Sequence, residues 1–174
     1  REAERMLGLR AVSTNPCLRL EVAARASIEA AQPILEPETR AALAEDRALA
    51  VSRLLWCYAL NRADLTPLLR RLVPRLRNEQ DPVRLAACSS LKASCLGPES
   101  LEPLQELVDA VVQARDTSWA TRNCLQELGM QLLRRGALDP EGPFLPFSLD
   151  LQRKLVGQSG HLAWPRLNDL PRGS

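Results

Sequence analysis

The side chain best suited to acid–base chemistry at neutral pH is the single histidine, His161. It lies in a Gly- and Pro-containing stretch between residues 157 and 174, whereas a general base has to be held on a rigid support to meet its substrate. No serine or cysteine combines with it into a convincing nucleophile–base arrangement. We therefore predict that His161 is exposed and non-catalytic, and that the chain has no catalytic residues.

Five cysteines offer metal binding, disulfide formation or nucleophilic chemistry. Their number is odd, their spacing is wide, and no Cys-x-x-Cys pair occurs among them. Cys88 and Cys95 would lie about 10 Å apart along a helix, which is too far for one shared zinc ion. We expect no metal site and no disulfide, and we interpret Cys88 and Cys95 as small buried hydrophobes. All five cysteines are expected to be reduced thiols: Cys17, Cys57, Cys88, Cys95 and Cys124.

Motifs for nucleotides and membranes are missing from the sequence. It contains neither Gly-x-x-x-x-Gly-Lys nor Gly-x-Gly-x-x-Gly, so we predict no cofactor. There is no apolar run of about 18 residues and no secretory h-region in the first residues of the sequence, so we expect neither a membrane span nor a secretory leader. The formal net charge is only +2 over 174 residues, which does not favour an anionic membrane or nucleic acid as a general partner. We expect a cytoplasmic or nuclear protein without membrane contact.

Arginines are concentrated between residues 62 and 84. Arginine recognises phosphates and carboxylates through two parallel hydrogen bonds, so a basic helix face here could bind nucleic acid or an acidic protein segment. The alternative is a solvated face whose arginine stems cover apolar surface. No aromatic residues are interleaved with the arginines, which weakens the case for single-stranded nucleic acid. The candidate partner-binding residues of this face are Arg70, Arg71, Arg75 and Arg77.

Tryptophan is enriched at the hot spots of protein interfaces, and the chain has three. Trp56 falls beside Tyr58 in a predicted helix, where core packing is commoner than recognition. Trp119 stands at a predicted helix start and Trp164 lies in the C-terminal segment. We take Trp119 and Trp164 as candidate anchors for a protein partner.

Helices must position these side chains, because the composition is aliphatic: 45% of residues are hydrophobic and only 3% are aromatic. Apolar residues recur at steps of three and four, as on one face of a helix. We predict an all-α protein. The predicted helices cover residues 2–12, 17–31, 37–60, 65–77, 81–96, 101–115 and 119–135, with Pro33 as a break, Gly97 and Gly136 as terminators, and a kink at Pro74. An alternative divides the helix 37–60 near Glu45-Asp46, where Asp46 would cap a shorter helix.

Two helix pairs repeat with a period of 36 residues. At this shift Asp81 aligns with Thr117 and Cys88 aligns with Cys124, while the leucine and proline positions of the preceding helices also coincide. A period of this size indicates a unit that cannot bury its apolar face alone and must stack on a neighbour.

The motif that carries a family resemblance is Asp81-Pro82-Val83-Arg84-x-Ala86-Ala87-x-x-x-Leu91, preceded by Leu69-x-x-Leu72-Val73-Pro74-x-Leu76. It resembles a HEAT repeat, the antiparallel helix pair that stacks into an α-solenoid, most clearly over residues 64–97 and 100–135. The resemblance implies that Asp81 and Arg84 bond between neighbouring repeats. The second copy has Thr117 and Ala120 at those positions, so a continuous Asp–Arg ladder is not expected.

The predicted architecture is a short HEAT- or armadillo-like α-solenoid of antiparallel helix pairs over residues 1–136. An irregular helical bundle is the alternative packing. We assign residues 137–174 to a Pro- and Gly-rich C-terminal segment that is less ordered and has one short helix over residues 148–156.

The function predicted for this architecture is non-enzymatic: a scaffold for protein–protein interaction, as a fragment of a larger subunit of an intracellular complex. The alternative is binding of a nucleic-acid backbone through the arginine face. A HEAT-like hydrolase or DNA glycosylase is a third possibility, and it would require a cleft carboxylate that the sequence does not reveal.

Overall fold

A computed structural model of the chain describes residues 15–159. This part contains helices and no strand, so the all-α prediction is confirmed for it. His161 and Trp164 lie outside the described residues, as do the predicted helix over residues 2–12 and residues 160–174 of the predicted C-terminal segment. The α-helices are α1 (Pro16–Ala23), α2 (Ile28–Glu38), α3 (Ala44–Leu60), α4 (Thr66–Leu76), α5 (Asp81–Ser90), α6 (Leu101–Gln113), α7 (Trp119–Leu138) and α8 (Phe144–Ser159).

From α2 onward, consecutive helices alternate between two rows. We call α2, α4, α6 and α8 the first row and α3, α5 and α7 the second row. In the second row α5 packs between α3 and α7, and in the first row α6 packs between α4 and α8. Side-chain bonds join α2 to α4 at their C-terminal ends, where Arg75 donates to the Thr39 carbonyl at 2.6 Å. The middle helices α5 and α6 therefore each have neighbours from the preceding and the following helix pairs.

The core between the rows is aliphatic, as the composition predicts. Leu54, Leu68 and Leu104 are fully buried, and each buried leucine contributes about 2 kcal/mol of transfer free energy. Small side chains allow α5 to approach α3 closely, because Ala87 is buried and Ser90 Oγ donates to Ser52 Oγ at 2.9 Å.

The end of α5 differs from the prediction of a helix running to Gly97. α5 ends at Ser90, and Leu91 turns into extended backbone with φ −68° and ψ 133°. Leu91 and Leu96, which flank the short 3-10 turn Ala93–Cys95, are both buried in the core. The Arg135 guanidinium donates to the carbonyls of Ala93 at 3.1 Å and Leu96 at 2.6 Å, so backbone acceptors outside the helix gain partners.

The region around the two early prolines also differs from the prediction. Pro33 and Pro37 lie inside α2, not at a break, and the chain instead breaks between α2 and α3. Both prolines are exposed, so water can bond the carbonyls that a missing N–H leaves free. The helix ends at Thr39, whose buried hydroxyl donates to the Glu36 carbonyl at 2.7 Å.

Near the C-terminus, the predicted helix over residues 148–156 is too short and Gly136 is not a terminator. α7 continues to Leu138, and α8 begins at Phe144. Gly136 is needed because α8 crosses α7 there: a Cβ at Gly136 would lie 2.5 Å from the Leu145 nitrogen. Phe144 and Leu151 join the common core, so residues beyond the predicted boundary at 136 extend the packed helices.

Candidate interaction surface

The arginine face of α4 lies between two helices that carry carboxylates. Arg70 Nη2 is 3.4 Å from Glu102 Oε2 on α6, and Arg71 Nε is 3.3 Å from Glu36 Oε1 on α2. These exposed ion pairs contribute at most about 1 kcal/mol each to stability. Their larger effect is on the surface potential, because each guanidinium has a carboxylate beside it. The first row therefore presents alternating charges instead of one basic face.

Arg75, the third arginine of this face, has a structural role. Its guanidinium donates to the Thr39 hydroxyl at 3.1 Å and to the Thr39 carbonyl at 2.6 Å. A cation at the C-terminus of a helix is favoured by the helix dipole, so Arg75 caps α2 from the neighbouring helix. Arg77, the fourth, is exposed at the end of α4 and has no bonded partner among residues 15–159.

Arg84 is buried, with 1% of its surface exposed. Its guanidinium donates to the Glu79 carbonyl and, at 2.5 Å, to Asp116 Oδ1 in the turn before α7. Desolvation is the largest influence on Asp116 and opposes its ionisation, but the hydrogen bond from Arg84, backbone hydrogen bonds and the charge of Arg84 together outweigh it and hold the pKa of the Asp116 carboxyl below its usual value. Asp81 accepts a hydrogen bond from Thr121 Oγ1 at 2.8 Å. Both side chains thus bond to the next helix pair, as the resemblance implies.

A second bond of the same kind joins the preceding pairs. Arg47 Nη2 lies 2.9 Å from Glu79 Oε2, and Arg47 Nη1 donates to the carbonyls of Ala41 and Ala42. We call Arg47 and Arg84 the bridging arginines. They are 37 residues apart, and so are their acceptors Glu79 and Asp116. This common spacing was the signal in the sequence that could have identified Arg47.

Trp119 is the most exposed aromatic side chain of the described residues, with 75% of its surface accessible. It is the first residue of α7, and Ser118 caps that helix by accepting a hydrogen bond from the Thr121 N–H at 3.2 Å. By contrast, Tyr58 is buried, and Trp56 is partly covered by the guanidinium groups of Arg25 and Arg53 at 5.5 and 5.7 Å from its ring centre.

A partly exposed stripe follows Trp119 along α7. Its members recur at helical spacing, and they are Arg122, Asn123, Gln126 and Met130. The candidate interaction surface is this stripe with Trp119 and the nearby edge on which Arg77 lies. The structure therefore brings two of the predicted site residues, Arg77 and Trp119, to neighbouring turns, because Arg84 bonds both the Glu79 carbonyl after α4 and Asp116 before α7.

The cysteines show no arrangement for catalysis or metal binding within residues 15–159. No group of three or more potential ligands occurs there. Cys88 and Cys124 line a cleft of about 130 Å³ between α5 and α7, smaller than the several hundred cubic ångströms of typical ligand pockets. Burial raises the pKa of both thiols, so they stay protonated and weakly nucleophilic.

Comparison with known proteins gives no assignment, because no protein family, curated protein or solved structure matches the chain. No helix in the described part of the chain is both long enough and apolar enough to cross a bilayer.

Proposed function

We propose that this chain is a non-enzymatic protein-interaction module, built as a short HEAT-like α-solenoid within a larger complex subunit. The observation that carries the proposal is the repetition of one bond: Arg47 to Glu79 and Arg84 to Asp116, each joining a helix pair to the next. Periodic bonding of this kind is typical of repeats stacked on their nearest neighbours. Repeat scaffolds use their extended faces to hold other proteins.

The second-row face supplies an anchor for such a partner. An indole with 75% of its surface exposed is unusual in a chain whose core is otherwise closed. Truncation of a tryptophan at an interface hot spot typically costs about 2–4 kcal/mol of binding free energy. Because most of the Trp119 side chain is exposed, packing of the core does not require it. Its place at the start of α7 therefore favours a role in recognition.

The alternative partner, a nucleic-acid backbone along α4, is less well supported. Glu36 and Glu102 stand beside Arg71 and Arg70, and they would repel phosphates approaching the same groove. Arg75 is already committed to the end of α2. The experiment that tests for a protein partner therefore also has to distinguish it from nucleic acid.

The test compares two exposed residues at opposite ends of α7. Trp119→Ala and Leu138→Ala remove side chains that are 75% and 77% exposed, so neither should change the free energy of unfolding by more than about 0.5 kcal/mol. Tagged full-length versions are isolated from cells with their partners, which are identified by mass spectrometry.

We expect Trp119→Ala to lose partners that wild type and Leu138→Ala retain in equal amounts. Retention of every partner by Trp119→Ala would contradict the assignment of Trp119. Strongly salt-dependent binding of duplex DNA, lost on reversal of Arg70 and Arg71 to Glu, would favour the nucleic-acid alternative.

A further inference from the structure

Three exposed arginines occupy equivalent positions in successive helix pairs. Arg40 follows α2, Arg77 directly follows α4, and Arg115 follows α6. The intervals are 37 and 38 residues, close to the 37 residues that separate the bridging arginines. None of the three guanidinium groups has a bonded partner in the described chain, unlike those of Arg70 and Arg71. We call Arg40, Arg77 and Arg115 the arginine edge.

The three side chains lie on one edge because α2, α4 and α6 run parallel. Arg75 near the end of α4 bonds to Thr39 at the end of α2. At the opposite end, the Thr66 and Ser100 hydroxyls at the starts of α4 and α6 are 2.7 Å apart. Packed helices lie about 8–10 Å apart, so successive guanidinium groups of the edge are separated by steps of about 10 Å.

Trp119 stands on the same edge, because each second-row helix begins where a first-row helix ends. Arg115 precedes Trp119 by four residues, and Arg122 follows it by one helical turn on the same face of α7. The buried Nε of Arg122 has no hydrogen-bond partner among residues 15–159. One aromatic ring and two arginines of this kind match the residue types that dominate interface hot spots.

Carboxylates limit where the edge is positive. Glu45 and Asp46 are exposed in the first turn of α3, near Arg40, and offset its charge. Further along, Glu79 and Asp116 are already bonded to the bridging arginines Arg47 and Arg84. The uncompensated positive charge therefore lies at the later end of the edge, around Arg77, Arg115 and Arg122.

We propose that this end of the arginine edge docks an acidic, extended segment of a partner protein, with an apolar side chain of that segment packed on Trp119. The inference rests on the proposed interaction function and specifies its partner. In a polyproline II conformation, residues three apart lie on one side of the chain and about 9 Å apart. Carboxylates at that spacing reach successive guanidinium groups, and each can form a bidentate pair.

The experiment selects short random peptides displayed on phage against the full chain, and then measures the affinity of enriched peptides by fluorescence anisotropy. We expect enrichment of Asp and Glu around one aromatic or large aliphatic residue. Arg77→Glu combined with Arg115→Glu should weaken binding about tenfold or more, and Trp119→Ala should do the same. Affinity should also fall as salt rises above about 0.15 M.

The matched control is Arg134→Glu combined with Arg153→Glu, which changes the net charge equally at exposed positions on α7 and α8. It should alter the affinity for the peptide by less than about twofold, because salt screens the interaction between exposed charges that are more than about 8 Å apart. Thermal unfolding of every variant verifies that the fold is intact.

Each other result overturns a different claim. Enriched peptides that bind the edge variants as tightly as wild type would refute this edge while leaving an interaction function intact. Enriched peptides without acidic residues would refute the acidic partner. Failure to enrich any peptide, together with binding of duplex DNA that the edge variants lose, would refute both this inference and the proposed function.

Discussion

Arg84 Nη2 lies 2.5 Å from Asp116 Oδ1, and this bond joins α5 to the turn that precedes α7. Arg84 is almost fully buried, whereas Arg77, seven residues earlier, is exposed and has no bonded partner in the described chain. Two arginines of one charged segment thus act differently: one holds helix pairs together and the other is available to a partner.

Arg84→Ala should destabilise the protein by about 3 kcal/mol, because it removes a well-packed buried side chain and leaves the Glu79 carbonyl without its donor. Arg77→Ala should change stability by less than about 0.5 kcal/mol. Urea unfolding measures both. Arg84→Met should recover part of the loss, since methionine refills the space without a buried charge. Equal stabilities for Arg84→Ala and Arg77→Ala would contradict the bridging role.

Asp116 should make the stability depend on pH in the acid range. Its folded-state pKa lies below the unfolded value of 3.8, because the hydrogen bond and charge of Arg84, with backbone hydrogen bonds, together outweigh the larger single effect of desolvation. The unfolded state therefore binds the proton more readily, so the contribution is present above about pH 4 and is lost as the pH falls through the folded pKa.

The measurement compares wild type with Asp116→Asn by chemical unfolding at several pH values. The variant should be less stable near neutral pH, and the difference should shrink progressively as the pH falls below about 4. A difference that stays constant from neutral to acid pH would show that the charge of Asp116 does not act through Arg84.

Gly136→Ala should destabilise the contact between α7 and α8 by about 2 kcal/mol, because the new methyl group would meet the Leu145 backbone, which cannot move aside as a flexible side chain would. Gly97→Ala is the matched control: its φ is −89° and no atom lies within 4 Å of the added Cβ. Gly97→Ala should be neutral or slightly stabilising. A melting temperature unchanged by Gly136→Ala would show that α8 does not pack there.

Arg62→Gly should stabilise the protein by about 1 kcal/mol. Arg62 has φ 51° in the turn after α3, where the Ala63 N–H bonds to the Tyr58 carbonyl and the Arg62 N–H to the Ala59 carbonyl. Glycine adopts this left-handed conformation without the steric cost of a Cβ. Arg62→Ala keeps that cost and should give no such gain, so equal midpoints of thermal unfolding for the two variants would contradict the explanation.

The helical class and most helix positions were predictable from the sequence, because local spacing of apolar residues reports which face of a helix is buried. α4 and α6 were found in this way, as was the start of α7 at Trp119. The ends of α5 and α7 were not, because they depend on contacts far along the chain: Arg135 bonds the turn after α5, and α8 crosses α7 at Gly136. The interior prolines of α2 misled for another reason: both are exposed, so water can bond the carbonyls that the missing N–H groups leave free.

The sequence by itself determined that the chain is helical and that its helix pairs repeat. It also identified tryptophan and arginine as the candidate residues for binding a partner. Only the tertiary structure decided what each arginine does. Arg70, Arg71 and Arg84 meet carboxylates 32 to 35 residues away along the chain, and Arg77 meets none in the described part. Helical periodicity predicts which face of a helix carries a side chain, but the partner of that side chain depends on which neighbouring helix packs alongside.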